Sequence, residues 1–233
     1  MPIDKAVSVT FARGGSKGLP RKNLLPINGI PLLGHAIACA KEVLNEERIF
    51  VSTEDQEIAE CAKSFGARVI SRPVELAQDS SPEWDSWRHA CLTLEKLDID
   101  FDCLVSVPCT SPLRNSDDIV NCIKTLDAHS NGEACISVSE SFRSPYFNMV
   151  ETKENGFCKV VIENDFTVSR RQDVPTVFDI TTVAYAARKN FILHSNNIFE
   201  GNVCFNKVPK ERSIDIDDAY DFMIAKMLLE RTV

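Results

Sequence analysis

The chain lacks any apolar run long enough to cross a bilayer, and its first residues, Met1-Pro2-Ile3-Asp4-Lys5, lack a signal peptide's apolar core. A cytoplasmic location with no membrane partner is the expectation. The nine cysteines contain no Cys-x-x-Cys pair, and several, such as Cys103 and Cys135, sit inside apolar runs. That argues against a disulfide frame or zinc site and for reduced thiols packed as small hydrophobes. Histidine is scarce: the four, at 35, 89, 129 and 194, stand singly, with no Ser-His-Asp or Cys-His signature. They read as structural or surface residues, and no protein nucleophile is expected. Basic residues are in deficit, 26 against 34 acidic for a net charge of −8. General binding of a nucleic acid polymer usually leaves a basic footprint and is therefore not expected. Repeats, heptads and low-complexity segments are also missing.

Against this acidic background one stretch is cationic. Thr10-Phe11-Ala12-Arg13-Gly14-Gly15-Ser16-Lys17-Gly18-Leu19-Pro20-Arg21-Lys22-Asn23 holds three glycines and four cations with no acidic residue among them. Glycines let a backbone approach an anion closely and turn its N–H groups inward. Arg13, Lys17, Arg21 and Lys22 can add charge-assisted hydrogen bonds to phosphate oxygens. The stretch is not a P-loop, because Leu19 and Pro20 follow Gly18, nor does it carry Gly-x-Gly-x-x-Gly. It reads as a polyphosphate loop, with a basic solvated turn as the plain alternative.

At 233 residues the chain can bury a sizeable core, and residues 1–233 read as one α/β domain. A strand over Ala6 to Phe11 runs into the cationic loop. Apolar spacing predicts helices over Pro31 to Leu44, Gln56 to Phe65, Glu83 to Leu97, Ser116 to Ala128 and Asp218 to Arg231. Pro31 suits a first turn, Gly66 a left-handed cap, and Ser116 an N-cap. Strands are predicted at Arg48 to Ser52, Ala67 to Ser71, Cys103 to Val107, Ala134 to Val138, Thr182 to Ala187 and Val203 to Val208. Trp84 and Trp87 fall on the apolar face of their helix and are expected in the core. Alternating strands and helices mean a mostly parallel sheet, whose ligands bind at the strands' carboxyl ends. Residues 141–178 are irregular and read as an inserted arm, with Lys159 to Ile162 and Phe166 to Val168 as strands of a hairpin.

The second chemical motif is Ser213-Ile214-Asp215-Ile216-Asp217-Asp218. Alternation places Asp215 and Asp217 on one side of an extended segment. Two hard oxygen donors suit Mg²⁺, which keeps waters and substrate phosphates as its other ligands. An acidic start to the last helix, capped by Asp217 or Asp218, is the simpler reading, and both can hold together.

In family order, the chain carries the opening loop, Val51-Ser52-Thr53-Glu54, Arg72-Pro73-Val74-Glu75-Leu76-Ala77, Thr110-Ser111-Pro112-Leu113-Arg114, Ser169-Arg170-Arg171-Gln172-Asp173 and Ser213-Ile214-Asp215-Ile216-Asp217. With these it resembles the acylneuraminate cytidylyltransferases, which activate sialic acid and related nonulosonic acids. The resemblance spans residue 6 to about residue 225. It implies a three-layer Rossmann-like nucleotidyltransferase with a mostly parallel, mixed sheet and a dimerisation arm at 141–178, hence a homodimer. It implies CTP held by Arg13, Gly14, Gly15, Ser16, Lys22, Asn23 and Arg72, and Mg²⁺ on Asp215 and Asp217. Arg13, Lys22, Asp215 and Asp217 would be catalytic. Thr110, Ser111, Arg114, Arg171, Gln172, Asp179 and Thr181 would face the sugar acid, with a partner's arm completing each site. The implied reaction joins CMP to the anomeric hydroxyl of a 2-keto-3-deoxy sugar acid and releases pyrophosphate. Such a displacement needs positioning and charge neutralisation more than covalent catalysis. An aspartate or a metal-bound water could serve as base.

The chain departs from the sialic-acid enzymes in two places. It has Pro108-Cys109 where they carry Gln-Pro, and Phe178-Asp179-Ile180-Thr181-Thr182 where they carry Phe-Arg-Pro-Asn-Gly. The nucleotide half looks intact and the sugar half altered, and a less polar acid, such as legionaminic acid, would suit Ile180, Thr181 and Phe147. A nucleotide-sugar-dependent glycosyltransferase, or an inactive nucleotide-binding module, remains as an alternative from another class.

Overall fold

The first strand shows how the sheet is built. In β1 (Ala6–Phe11), Val7 and Val9 point into one apolar cluster and Ala6 into another on the opposite face, the two-residue period of an extended chain. A computed structural model describes residues 3–165 and 168–231. After the cationic loop, β2 (Pro26–Ile27) and β3 (Ile30–Pro31) form a small hairpin. Its turn residues Asn28 and Gly29 both take positive φ, 50° and 76°, the pairing a two-residue hairpin favours. Helix α1 (Leu32–Lys41) begins one residue later than Pro31, which has extended backbone and precedes the first turn instead of occupying it.

The alternation continues through β4 (Ile49–Thr53), α2 (Gln56–Ser64), β5 (Arg68–Ser71), α3 (Glu83–Lys96), β6 (Cys103–Ser106), α4 (Ser116–Ala128) and β7 (Ala134–Glu140). Gly66 has φ +85°, as its place after α2 predicts. The cap of α4 differs from expectation. Asn115, not Ser116, accepts from the Asp118 N–H, and the Asp118 carboxylate accepts from the Asn115 N–H, a reciprocal capping box.

The arm also differs. Its hairpin pairs β8 (Val150–Thr152) with β9 (Cys158–Val160) across the Asn155-Gly156 turn. Phe166 and Thr167 of the expected second strand lie outside the described residues, and Val168 belongs to no strand. The chain then forms β10 (Phe178–Arg188), α5 (Lys189–His194), β11 (Val203–Lys207) and α6 (Ala219–Arg231). Asp218 caps α6, accepting the N–H groups of Tyr220 and Asp221.

The seven-stranded sheet has the order β11-β7-β10-β6-β1-β4-β5. Strand β10 runs antiparallel to both of its neighbours, and all other pairs are parallel. One face packs against α1, α2, α4 and α6, through residues such as Leu33, Ile58, Ile123 and Ala225. The other packs against α3 and α5, where Trp84, Trp87, Leu94 and Ile192 meet Phe50 and Leu104. Burying each such large side chain stabilises the fold by about 1.5–3 kcal/mol before entropy is counted. The result is a three-layer α/β/α architecture with a mostly parallel sheet.

Parallel β1, β4 and β6 end on the same edge, so the cationic loop, Glu54 and the segment from Pro108 to Arg114 gather there. Strand β10 enters the edge from the opposite direction and is irregular. Thr181 pairs with Ser137, but the next pair is Tyr185 with Ile136. The Ser137 hydroxyl fills the gap, accepting from the Ala184 N–H and donating to the Ala184 carbonyl. This displacement decides which β10 side chains face the ligand edge.

Candidate active site

A cavity of about 730 Å³ opens at this edge, a size suited to a small-molecule ligand. Arg13, Asn23 and Arg72 line one part of it, and Asp215 and Asp217 another, with Pro108, Cys109 and Thr110 between the sheet and the acidic segment. Phe11, Trp84, Trp87, Ile180, Tyr185 and Phe199 give the rest a largely apolar wall. The two tryptophans are buried and stack on one another with ring centroids 5.3 Å apart, so they serve the core as well as the wall.

The cationic loop is held by acidic residues from elsewhere in the chain, although its own sequence contains none. Arg13 and Lys17 each place a nitrogen 2.7 Å from a different oxygen of Asp79. Arg21 pairs with Asp55 and Glu57. Lys22 Nζ donates to the Ile216 carbonyl at 2.6 Å and lies 3.2 Å from Asp217 Oδ1. Arg21 donation holds the Asp55 carboxyl down at about 2, against the opposing effect of burial. Glu54 is the hub of the loop's inner side. Its Oε1 accepts the Gly14 N–H and its Oε2 accepts Arg72 Nη2, both at 2.7 Å. Burial pushes the Glu54 carboxyl up, but those two donors, its own backbone N–H and the Arg72 charge together outweigh it, and the net shift is downward.

Close approach explains two of the loop's glycines. A Cβ at Gly18 would fall closer than 3.0 Å to the Asp217 backbone oxygen, and one at Gly14 would overlap the Asp55 carboxylate. Gly18 therefore lets the cationic loop and the acidic segment touch across about two hundred residues of sequence. Gly15 has open space around it. Gly14, Gly15, Ser16 and Lys22 are not in the cavity lining, and Lys22 is joined to it through Asp217.

The acidic segment is fixed by main-chain contacts. The Ile216 N–H donates to the Thr110 carbonyl at 2.9 Å, while the Asp217 and Asp218 N–H groups donate to Asp221 Oδ2. Asp215 is largely buried, and its Oδ1 has no hydrogen-bond partner. Burial lifts its carboxyl above the ordinary value, opposed by the Thr110 and Thr182 hydroxyls and reinforced by the Asp217 charge. Asp217 is open, its side chain 78% exposed. An orphaned carboxylate oxygen beside a second, open carboxylate fits a divalent cation that keeps waters and phosphates as its remaining ligands. No group of three or more His, Cys, Asp or Glu gathers for a metal among the described residues.

Several residues expected to face the sugar acid do not line this cavity. Arg114 is buried and turned inward, donating to the carbonyls of Pro108, Thr182 and Val183 as a clamp between β6 and β10. Ser111 is also buried, paired with the Thr182 hydroxyl. The irregularity in β10 puts Ile180, Thr182 and Tyr185 on the lining, while Asp179 is exposed and the buried Thr181 lies off the lining. The Asp179 charge therefore does not enter the pocket of its own chain. Arg171 closes the base of the arm by donating to the Ser141 and Phe142 carbonyls, and borders a separate cavity of about 310 Å³ with Glu140, Lys207 and Lys210. Gln172 and Phe147 line neither cavity. Of the expected sugar-facing set, Thr110 alone is in the lining.

Residues without an assigned role in the sequence reading complete the picture: Glu54, Asp79, Glu83, Thr182, Tyr185 and Phe199. Glu54 lies within the matched stretch 51–54, yet its partners Gly14 and Arg72 are distant in sequence. Cys109 borders the cavity, but burial pushes its thiol up to about 12, so it stays protonated and unreactive. Of the nine cysteines, Cys91, Cys103, Cys109, Cys122 and Cys135 are buried, Cys39, Cys61 and Cys204 are partly buried, and Cys158 is exposed. None of the four histidines lines the cavity. No helix among the described residues is long and apolar enough to cross a membrane.

A mixed α/β sheet with a cation-rich, glycine-containing loop and two carboxylates at its ligand edge defines a nucleotidyltransferase. More specifically, the cytidylyltransferase family profile matches residues 9–224, and the chain belongs to that family. It is 31% identical to the post-translational flagellin modification protein B of Campylobacter coli, over 94% of this chain and 92% of that protein. It is 30% identical to the CMP-N,N'-diacetyllegionaminic acid synthase of Campylobacter jejuni, with the same coverage, 94% and 92%. The N-acylneuraminate cytidylyltransferase of Escherichia coli is 27% identical, and the match spans 51% of that longer protein. Among solved structures, a CMP:2-keto-3-deoxy-manno-octonic acid synthetase complexed with CTP superposes with a TM-score of 0.72 at 16% identity, covering 98% of this chain and 100% of that one. That likeness concerns the fold.

Proposed function

We propose that this enzyme transfers CMP from CTP to the anomeric hydroxyl of a 2-keto-3-deoxy sugar acid of the nonulosonic type. The sugar oxygen bonds to the α-phosphorus as the bridge to the β-phosphorus breaks, pyrophosphate departs and the hydroxyl proton is lost. The observation that carries this reading is the meeting of Arg13, Asn23 and Arg72 with Asp215 and Asp217 around one cavity in a chain of the cytidylyltransferase family.

Arg13 and Lys22 serve the triphosphate, and Asn23, whose amide donates to the Arg13 carbonyl at 3.0 Å, supports the loop from within. Arg72, held through Nη2 by Glu54, lines the cavity, and we assign it to the base of CTP. Asp215 and Asp217 would hold Mg²⁺, which when bound neutralises charge on the phosphate oxygens. Lys22, placed between the loop and Asp217, keeps the two halves of the site in register.

The acid we favour is deoxygenated and diacylated. Pro108 has no N–H to offer, and Trp84, Trp87, Ile180, Ile198 and Phe199 present apolar surface to the pocket. A diacetylated acid is also what the name of the Campylobacter jejuni relative specifies. We further propose a cytoplasmic homodimer. Phe142, Val150 and Phe157 of the arm are more than half exposed, an apolar surface that a second copy would cover. Arg171 and Gln172, absent from their own chain's cavity, would then reach the partner's.

The test is incubation with CTP, Mg²⁺ and a panel of 2-keto sugar acids, following pyrophosphate release. A diacylated acid should exceed N-acetylneuraminic acid in kcat/KM. A tenfold or greater preference for N-acetylneuraminic acid, about 1.4 kcal/mol, overturns the choice of sugar and leaves the cytidylyltransferase reading standing.

A further inference from the structure

Asp79 lies on the segment between β5 and α3 and binds two of the loop cations, Arg13 and Lys17. Its Oδ1 accepts from Arg13 Nη1 and its Oδ2 from Lys17 Nζ, each at 2.7 Å. Its carboxylate thus spans the two side chains that a phosphate would span. Asp79 and Arg13 both line the cavity, so the pairing faces the ligand space. The segment carrying it is cross-tied. Residues Val74–Ala77 form a 3-10 turn, Ser81 Oγ donates to the Glu75 carbonyl at 2.5 Å, and Ser86 Oγ of α3 donates to the Leu76 carbonyl at 3.2 Å. Arg13 Nη1 also reaches the Ala77 carbonyl, at 3.5 Å.

We propose that Asp79 is an internal anion that competes with the polyphosphate chain of the ligand for Arg13 and Lys17 and so sets how tightly the loop holds it. The inference rests on the reading of the cationic loop as the triphosphate site. A carboxylate brings one negative charge to the pair, whereas a triphosphate brings several and more acceptor oxygens, so it displaces Asp79. A ligand that does not present a polyphosphate to the loop leaves Asp79 in place. The apparent dissociation constant for a polyphosphate is the intrinsic one divided by the fraction of molecules with Asp79 detached. Asp79 therefore weakens the hold on CTP and on departing pyrophosphate alike, and favours release of pyrophosphate after the reaction by returning to the vacated cations.

The experiment compares Asp79→Asn and Asp79→Glu with the wild type, measuring calorimetric binding of inorganic tripolyphosphate, CTP and cytidine at low and high salt. Asp79 is half-exposed, and Asn is isosteric, so the folded state should persist, with thermal unfolding as the check. Removing the charge should tighten tripolyphosphate and CTP binding, on the order of fivefold for two exposed ion pairs, and leave cytidine unchanged. The gain should fade at high salt as the pairs are screened. Asp79→Glu should stay within about twofold of the wild type, because it keeps the charge. Equal or weaker tripolyphosphate binding by Asp79→Asn overturns the proposal while leaving the phosphate loop intact. Failure of folded wild type and variant alike to bind tripolyphosphate or CTP removes the underlying reading, and the proposal with it.

Discussion

Gly18 offers the sharpest test of how the two halves of the site are joined. A methyl group there would be driven into the backbone oxygen of Asp217, which cannot rotate away as a side chain could. Gly18→Ala should therefore push the cationic loop and the acidic segment apart. Overpacking of this kind costs about 1–3 kcal/mol, and the smaller unfolded-state entropy of alanine returns about 0.4–1 kcal/mol. The net is a loss of about 1.3 kcal/mol. In a chain of this size 1 kcal/mol moves the unfolding midpoint by about 2–4 °C, so a drop of roughly 3–5 °C is expected. Gly15→Ala is the control: its Cβ meets nothing within 4 Å and Gly15 has no positive φ. It should leave the midpoint unchanged or raise it slightly. Both midpoints are read by circular dichroism, and the Mg²⁺ dependence of turnover is measured beside them. Gly18→Ala should need more Mg²⁺, because Asp217 is displaced. Equal midpoints for the two variants, or an unaltered metal requirement in Gly18→Ala, would refute the argument.

Asp217→Ala should leave the unfolding midpoint close to that of the wild type, since the side chain is open to solvent, yet lower kcat by roughly 10²–10³-fold; wild-type turnover at limiting Mg²⁺ would exclude it as a ligand. Glu54→Gln strands the buried Arg72 and should cost on the order of 3 kcal/mol at neutral pH. Because the folded carboxyl of Glu54 lies below its unfolded value of about 4.3, its contribution is complete above that pH and disappears as pH falls through the folded value. Urea denaturation should thus show the gap between wild type and Glu54→Gln closing below roughly pH 4, and a gap that widens on acidification would contradict the linkage. Multi-angle light scattering at micromolar concentration should give twice the chain mass, and a monomer there would sink the assignment of the arm to a dimer interface.

The sheet's alternation and most helix limits were legible because apolar spacing is local. The α4 helix covers the residues its spacing predicts, Ser116–Ala128. Its cap was not, because Asn115 and Ser116 are both good capping residues and the reciprocal bond with Asp118 decides between them. In the site, the cationic loop and the acidic segment announce themselves by residue type, and they converge as the βαβ topology requires. The sugar side was less legible for two physical reasons. Arg114 reads as a ligand contact, but its partners are carbonyls on β10 that no local pattern reveals. Asp179 and Thr181 stand where the sialic-acid enzymes carry Arg and Asn, whereas an irregularity in β10 turns Ile180 and Thr182 to the cavity instead. Asp79 was hidden differently, as an acidic residue on a loop whose partners lie more than sixty positions earlier.

The central claim, cytidylyl transfer to a sugar acid, is tested most directly by phosphorus NMR of the protein with CTP, Mg²⁺ and a diacylated 2-keto nonulosonic acid. The account predicts that the three CTP resonances give way to one phosphodiester resonance and one of free pyrophosphate, only when the acid is present, and far more slowly with Asp217→Ala. CTP left unchanged with every acid in the panel, or split to CDP and inorganic phosphate, would contradict it.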